Sequence, residues 1–460
     1  MATPGIARTA LRAGYLTRLE NAAQSVGTLA PTITIAVGLP IILGEAGHAS
    51  MLLIGAVLVI FLGVAAGVYP LASRSASAGS LGAYTVIGLG RRAGIAASWT
   101  YILAMAFVAI SAIVCGELCV DLLLERWVGP AHGPWRSLLI PTVIMGAAWL
   151  CAHRDVRLST KVMLATEMVS LGLLCAILLV ALSKGFWWDK RQLDFTDAPW
   201  NGVRLAFIVA ATALSGFESA SALGEEVVDG RRSVPRTMLW CLVPTGLVYL
   251  AATYALGLLE DRYRVRLWDA SMPFDLLARS AGVPYLGSAS LAGIAVSTFA
   301  AALAGISAAS RVMYDLSRQG ALPAFLGRIH PTHATPTRAV ALFALLGIGV
   351  SAGLFLEDVP AADSINYTIQ VASYGFMASY FLVCLAACVF LLKSGLGRLR
   401  VFAAGAGVVG MLVVIGMSLI PLPDAPWSYV AFVALALPAC GYAWSELYLR
   451  SGRAVSSATQ

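Results

Sequence analysis

Two carboxylic acids stand in stretches where water is scarce. Glu167 interrupts the run Val162-Met163-Leu164-Ala165-Thr166-Glu167-Met168-Val169-Ser170, and Glu218 interrupts residues 201–236, which read NGVRLAFIVAATALSGFESASALGEEVVDGRRSVPR. An acid inside an apolar span faces packed protein or water, and its charge depends on that setting, so it is a candidate for taking up and releasing a proton. Each also has a plain structural role open to it. Glu167 can be a buried acid hydrogen-bonded to its neighbours. Glu218, at the start of a half-helix, can cap free N–H groups at the positive end of the helix dipole. Proton coupling or gating is the functional expectation for both. Ser297 and Thr298 carry hydroxyls suited either to a sodium ion or to the carbonyls of their own helix.

Other chemistries lack their residues. There is no glycine-rich phosphate loop and no His/Cys spacing of the zinc type, which speaks against an ATP-driven pump and against a metalloenzyme. All five histidines (48, 132, 153, 330, 333) read as loop residues, so no His-based proton relay and no nucleophile–base pair falls at membrane depth. Cys115 with Cys119, and Cys384 with Cys388, share a helical face four residues apart, a spacing open to a metal pair. Cysteine in an apolar run is ordinarily a small hydrophobe, however. No enzyme activity, catalytic residue, cofactor or resident metal is expected. The formal charge of +7 is dispersed over many loops and needs no nucleic acid.

Acids at such depth need a frame with a wet interior. With 59% apolar and 12% charged residues and a mean hydropathy of +0.81, the 460-residue chain lies far from the roughly 25% charge of globular domains. It reads as an all-helical polytopic membrane protein with twelve apolar runs of about 20 residues. The run from 201 is long enough to cross a bilayer, yet Ser215, Gly216, Glu218 and Ser219 soften its middle. Backbone groups freed by such a break find no water in hydrocarbon, so the break must face protein or a wet cavity. The first run is soft as well. Pro31 cannot donate a hydrogen bond and disfavours helix at Ala30, while Thr32 and Thr34 offer hydroxyls to freed backbone. A simple proline kink is the alternative there.

Spacing favours a second break. Soft helices near residues 31 and 216, each the first of five spans, are what a five-plus-five inverted repeat places at corresponding positions, antiparallel near the midplane. No residue-level similarity joins the halves. The expected organisation is an N-terminal segment (1–25), a first repeat (26–183), an outer loop (184–200), a second repeat (201–392), two further helices (393–448) and a tail (449–460). With the N-terminus inside, the inner loops and ends collect most of the 31 Lys and Arg, among them Arg8, Arg74, Arg154, Arg231, Arg318, Lys393 and Arg453. That bias places both termini in the cytoplasm, and no cleavable signal peptide is expected.

The stretch G-F-E-S-A, then G-E-E, then R-R-S-V-P-R resembles the sixth span and following loop of the amino acid-polyamine-organocation permeases. Ser77-Ala78-Gly79-Ser80 with Tyr84 is similar to the family's S-A-G-G followed by Y, and Ala309-Ser310-Arg311 through Gly320-Ala321-Leu322-Pro323 to Pro336 adds a third match. The resemblance implies a secondary transporter of the five-plus-five type that moves amino acids or related amines by alternating access across the inner or plasma membrane. It implies that backbone N–H groups in span 1 hold a substrate carboxylate and that carbonyls at the span 6 break hold its amine. Carried over, the binding residues are Ala30, Pro31, Thr32, Ile33 and Thr34, together with Thr212, Ala213, Leu214, Ser215, Gly216 and Phe217. Where the family has G-[S/T]-G, this chain has Pro31-Thr32-Ile33, which removes one donor and adds bulk, so an amine without a carboxylate gains ground. Some proton-driven relatives carry lysine where Glu167 stands. Proton-coupled uptake is the expectation, with protons or sodium as co-substrate; an exchanger, or a potassium-type cation carrier on the same scaffold, is the alternative.

Overall fold

In hydrocarbon a peptide group must find its hydrogen-bond partner within the protein, and this chain meets that by being helix almost throughout. The computed structural model describes residues 10–129, 135–183, 188–194, 199–270, 272–422 and 425–451. Arg8, His132, Arg453, parts of the 184–200 loop and most of the 449–460 tail lie outside the described residues.

The first half comprises α1 (Arg18–Leu29), α2 (Pro31–Ile33), α3 (Leu39–Ala46), α4 (Ser50–Ala72), α5 (Ser80–Leu89), α6 (Arg91–Val128), α7 (Trp135–Arg154) and α8 (Val156–Ser183). The second comprises α9 (Trp200–Leu214), α10 (Gly230–Tyr263), α11 (Pro273–Ser280), α12 (Pro284–Arg318), α13 (Thr337–Leu356), α14 (Ala361–Ser394), α15 (Arg398–Leu419) and α16 (Trp427–Arg450). Among the described residues, eleven helical runs are long and apolar enough to cross a membrane, the first being the 55-residue run Arg18–Ala72. The only β pairing among the described residues is a single bridge between Leu16 and Val227. The family of runs and their apolar exteriors are those of a multi-pass membrane protein: Leu179, Trp240, Leu345 and Val409 stand exposed on the outside of the bundle. A soluble protein would bury them.

The centre is built by α6, α12 and α14, whose small residues let backbones approach closely. On α5, a Cβ at Gly88 would lie 2.0 Å from the Ala386 carbonyl oxygen of α14, so no other residue fits without moving a helix.

The two ends of the bundle differ. On the end that carries the N-terminal segment, Tyr15 and Leu16 donate their N–H groups to the Glu226 carbonyl at 2.7 and 2.8 Å, and Val228 donates back to the Leu16 carbonyl at 2.9 Å. Thr17 and Glu20 form a reciprocal capping box that starts α1. Beneath this strap, Arg311 of α12 and Glu226 form an ion pair at 2.5 Å with both side chains only 1% exposed. Arg318 pairs with Glu225 at 2.9 Å nearer the surface. The end of α16 lies at this same face, because Glu446 pairs with Arg92 at the start of α6 at 3.7 Å.

At the opposite face, Gly202 at the start of α9 packs on the Glu45 carbonyl, and Trp268 lies over Gly44. A cavity of about 610 Å³ opens there, lined by residues that include Leu43, His48, Glu260, Asp261, Arg264 and Trp268. Beside it α11 is tied to α6 by Arg126 and Asp275 at 2.6 Å. Partial burial pushes the Asp275 carboxyl up, but Arg126 and Arg279 outweigh it and hold it below the usual carboxylate range.

Removing one member of a buried ion pair strands the other, which costs about 3–5 kcal/mol. Arg311→Met is therefore expected to lower the thermal unfolding midpoint in detergent steeply, and adding Glu226→Gln to recover most of the loss. A double variant as unstable as the single one would show that the pair is not what Arg311 contributes.

Candidate functional site

Both soft stretches are true breaks, and they lie against each other. In the first, α1 ends at Leu29, Ala30 turns left-handed at φ 41°, ψ 60°, and Pro31 restarts the helix as α2. Residues Thr34–Gly38 then widen into a π turn before α3. This exceeds a proline kink, because an alanine at positive φ is held only where surroundings compel it. The Thr34 hydroxyl donates to the freed Leu29 carbonyl at 3.2 Å, as expected of it, and Tyr249 reaches the same oxygen at 3.3 Å.

In the second, α9 stops at Leu214, Ser215 is extended, Gly216 takes φ 97°, and the chain continues from Ser219 as a 3-10 turn. Ser25 of α1 crosses between the breaks: its hydroxyl donates to the Phe217 carbonyl at 2.7 Å and accepts the Ala220 N–H at 3.0 Å. Thr28 and Ser219 hydroxyls meet at 2.7 Å, and Ser219 donates to the Gln24 carbonyl at 3.0 Å. Sequence reasoning missed Ser25 and Thr28 as site residues. Their signal was faint: Ser25 and Thr28 are three apart and share one face of α1, but that helix also carries Glu20, Asn21 and Gln24, so the two hydroxyls do not stand out.

Glu167 lands on the first break from α8. Its Oε1 accepts the Thr32 N–H at 2.7 Å, while its Oε2 accepts the Ser297 hydroxyl from α12. One fully buried side chain thus ties three elements together. Thr32 meets it through its backbone N–H. Of the two hydroxyls considered for sodium, Ser297 is engaged with Glu167 and Thr298 donates to the Ala295 carbonyl of its own helix at 2.7 Å.

Glu218 departs from the expected cap. It precedes the 3-10 turn without a capping hydrogen bond from its side chain. Tyr380 of α14 reaches into the break instead: its hydroxyl donates to Glu218 Oε2 and accepts the Gly216 N–H at 2.9 Å. Its ring stacks with Phe217 at 5.8 Å and meets Phe61 edge-on at 5.6 Å. Leu214 and Phe217 are consequently core side chains, and what they offer a ligand is backbone.

Several backbone groups at the breaks remain available. Among the described residues, the carbonyls of Ala213, Leu214 and Ser215 accept no hydrogen bond, because the chain beyond Leu214 leaves the helical register. On the other break, Pro31 has no N–H and the Thr32 N–H is taken, which leaves that of Ile33. Ile33, Thr34, Thr212 and Ala213 are half-buried, the rest of the candidate set buried. Thr212 hydrogen-bonds Ser373 of α14 at 2.7 Å. The groups left open at the breaks are thus mostly carbonyl acceptors, with few N–H donors beside them.

The histidines do not all fall in loops. His153 occupies the last turn of α7, and the fold brings it beside His330 and His333 at the face of the N-terminal strap, far in sequence from either break.

A family model described as amino acid permease matches residues 25–440. The low-affinity putrescine importer PlaP of Escherichia coli (strain K12) is 26% identical over 313 residues, covering 66% of this chain and 66% of that protein. The branched-chain amino acid permease BcaP of Bacillus subtilis (strain 168) is 22% identical over 322 residues, 67% of this chain and 66% of its own length. The human large neutral amino acids transporter small subunit 2 is 27% identical over 238 residues, 48% of this chain and 42% of its own. The match thus spans just under two thirds of the length of PlaP and BcaP.

A methyl group at Gly216 would lie 2.5 Å from Thr28 Cγ2 in a backbone conformation that side chains avoid. Gly216→Ala is expected to destabilise the protein by about 1–3 kcal/mol and to suppress uptake. Thr28→Ser, which removes that methyl and keeps the hydroxyl, should restore part of both when combined with it. Equal thermal midpoints and uptake rates in wild type and Gly216→Ala would refute the close apposition of the breaks.

Proposed function

This chain belongs to the amino acid permease family of the amino acid-polyamine-organocation superfamily, and from that premise we propose that it is a proton-coupled importer of an organic amine. The single observation that carries the reading is the placement of Glu167 between the Thr32 N–H and the Ser297 hydroxyl. As a carboxylate, Glu167 holds the first break to α8 and α12. A proton arriving on it weakens both acceptor bonds and frees the half-helix that begins at Pro31 to move. Chemical state and the position of a mobile element are thereby linked, which is what coupling requires.

The same contact bears on the substrate. Glu167 occupies with its own carboxylate the N–H where the family resemblance places that of an amino acid, and Pro31 removes a neighbouring donor. The free carbonyls of Ala213, Leu214 and Ser215 suit an ammonium. PlaP is named for putrescine, a diamine, and BcaP for branched-chain amino acids; the open carbonyls and the filled N–H favour the amine. Ser297 and Thr298 are already engaged, which favours protons over sodium.

The architecture that serves this function is twelve spans, the run Arg18–Ala72 crossing twice, in two inverted five-helix repeats (26–183 and 201–392) followed by helices 393–448. Both termini lie in the cytoplasm, so the ion-paired face is the inner one and the cavity beside Trp268 opens outward. Alternating access consists of releasing the Arg311–Glu226 and Arg318–Glu225 pairs as the outer cavity closes.

Purified protein in liposomes, given labelled putrescine or labelled leucine under imposed pH or sodium gradients, tests the reading. Inward proton gradients are expected to drive diamine accumulation, with leucine poorer by about tenfold or more. Glu167→Gln is expected to lose gradient-driven accumulation by a similar factor while retaining counterflow exchange. Undiminished accumulation in Glu167→Gln removes the proton role, and leucine uptake that outruns putrescine removes the amine preference.

A further inference from the structure

The geometry points to a transition-metal site made by His153, His330 and His333 on the face of the N-terminal strap. Each offers one ring nitrogen, and the three nitrogens lie within 4.8 Å of one another. The ring centroids are 5.3 Å apart for His153 and His330, 5.4 Å for His153 and His333, and 4.6 Å for His330 and His333. All three are half-buried, neither sealed in the core nor waving in solvent. Three neutral imidazoles with open positions left over are the donor set of zinc and its neighbours in the first transition row.

The backbone around the rings is already organised. His153 is fixed by the end of α7, and its carbonyl accepts the Thr335 hydroxyl at 2.8 Å, joining helix end to loop. Arg12 donates to the Thr332 carbonyl at 2.7 Å while pairing with Asp155 at 3.2 Å, so the charge it brings to this loop is balanced. Arg154 adjoins His153 in sequence, and Arg328 lies two residues before His330. His330 Nδ1 lies 3.0 Å from the Thr332 hydroxyl, which can accept its N–H and leave Nε2 free to ligate. That tautomer gives up two long contacts at 3.3 Å, from the N–H groups of Thr332 and His333, in exchange for a metal–nitrogen bond. Small ring rotations then bring the three nitrogens to coordination distance.

An ion here has a mechanical consequence. α8 starts at Val156, three residues after His153, and the same helix carries Glu167 to the first break. A metal that clamps the α7–α8 corner to the 330–335 loop restrains the helix that must release Thr32. The site is an inhibitory brace, filled when transition metal is abundant at this face.

Protein purified without a polyhistidine tag and stripped of metal should bind one Co²⁺ or Zn²⁺ per chain, read by cobalt absorption and by calorimetry. His153→Gln and the loop pair His330→Gln/His333→Gln should each weaken binding by at least about tenfold. The loop pair leaves every helix untouched, so its folding can be verified by an unchanged elution profile. Micromolar Zn²⁺ applied to that face in liposomes should slow uptake by the wild type and leave the loop pair unaffected. Stoichiometry and affinity that persist in both variants, or no saturable binding at all, overturn the site. Saturable binding that leaves wild-type uptake unchanged overturns the brace.

Discussion

A peptide group placed in hydrocarbon without a partner costs several kcal/mol, and the centre of this molecule is organised by that penalty. Two helices are interrupted side by side, and what makes this tolerable is that neighbouring elements supply the partners their freed groups lack. Ser25 serves the Phe217 carbonyl and the Ala220 N–H at once, Tyr380 takes the Gly216 N–H, and Glu167 takes the Thr32 N–H. None of these partners belongs to the segment it satisfies. Any motion that separates the breaks must therefore find new partners for several groups together, and a substrate bearing hydrogen-bonding groups is such a partner. The three carbonyls left open at Ala213, Leu214 and Ser215 mark where the exchange would begin.

The closed and open ends follow from the same economy of polar groups. At the face of the N-terminal strap the seal is electrostatic, with Arg311 and Glu226 wholly buried and Arg318 and Glu225 above them. A buried ion pair contributes little net stability against an apolar equivalent, yet it is intolerant of half-removal, which suits a contact that is either fully made or fully hydrated. At the opposite face, charged residues such as Glu260, Asp261 and Arg264 surround open space. In the proposed cycle the two faces exchange these conditions.

Much of this was legible in the chain. The apolar runs announced helices, Pro31 announced the first break, and Ser215-Gly216 announced the second, because each signal acts on its own backbone. Glu167 stood out for being an acid at depth, and the structure gives it partners on two other elements. What the chain concealed is whatever depends on a contact between distant segments. Tyr380 lies 162 residues from the glutamate it serves and looks like any aromatic in an apolar run. Glu218 was expected to cap its own turn, with a gating or coupling role open beside it; the cap is not made, and a remote hydroxyl takes the carboxylate instead. The histidine cluster joins residue 153 to residues 330 and 333, and no spacing rule covers a ligand set whose members are assembled only by α7 packing on the 319–336 loop.

The two acids at the breaks are thereby distinguishable, although their sequence contexts look alike. Glu218 acts through an intermediary: it accepts the Tyr380 hydroxyl, and that hydroxyl itself accepts the Gly216 N–H. Neutralising Glu218 weakens one link but leaves tyrosine against glycine, and the aromatic packing of Phe61, Phe217 and Tyr380 still holds the break to α14. Glu167 has no intermediary. Its two oxygens are spent on a backbone N–H of one mobile half-helix and a hydroxyl of the central α12, so a change of charge acts on both junctions at once. A group whose protonation is to be felt as movement must touch the moving part directly. By that criterion Glu167 is the coupling residue of the proposed cycle and Glu218 a residue that keeps the second break in shape.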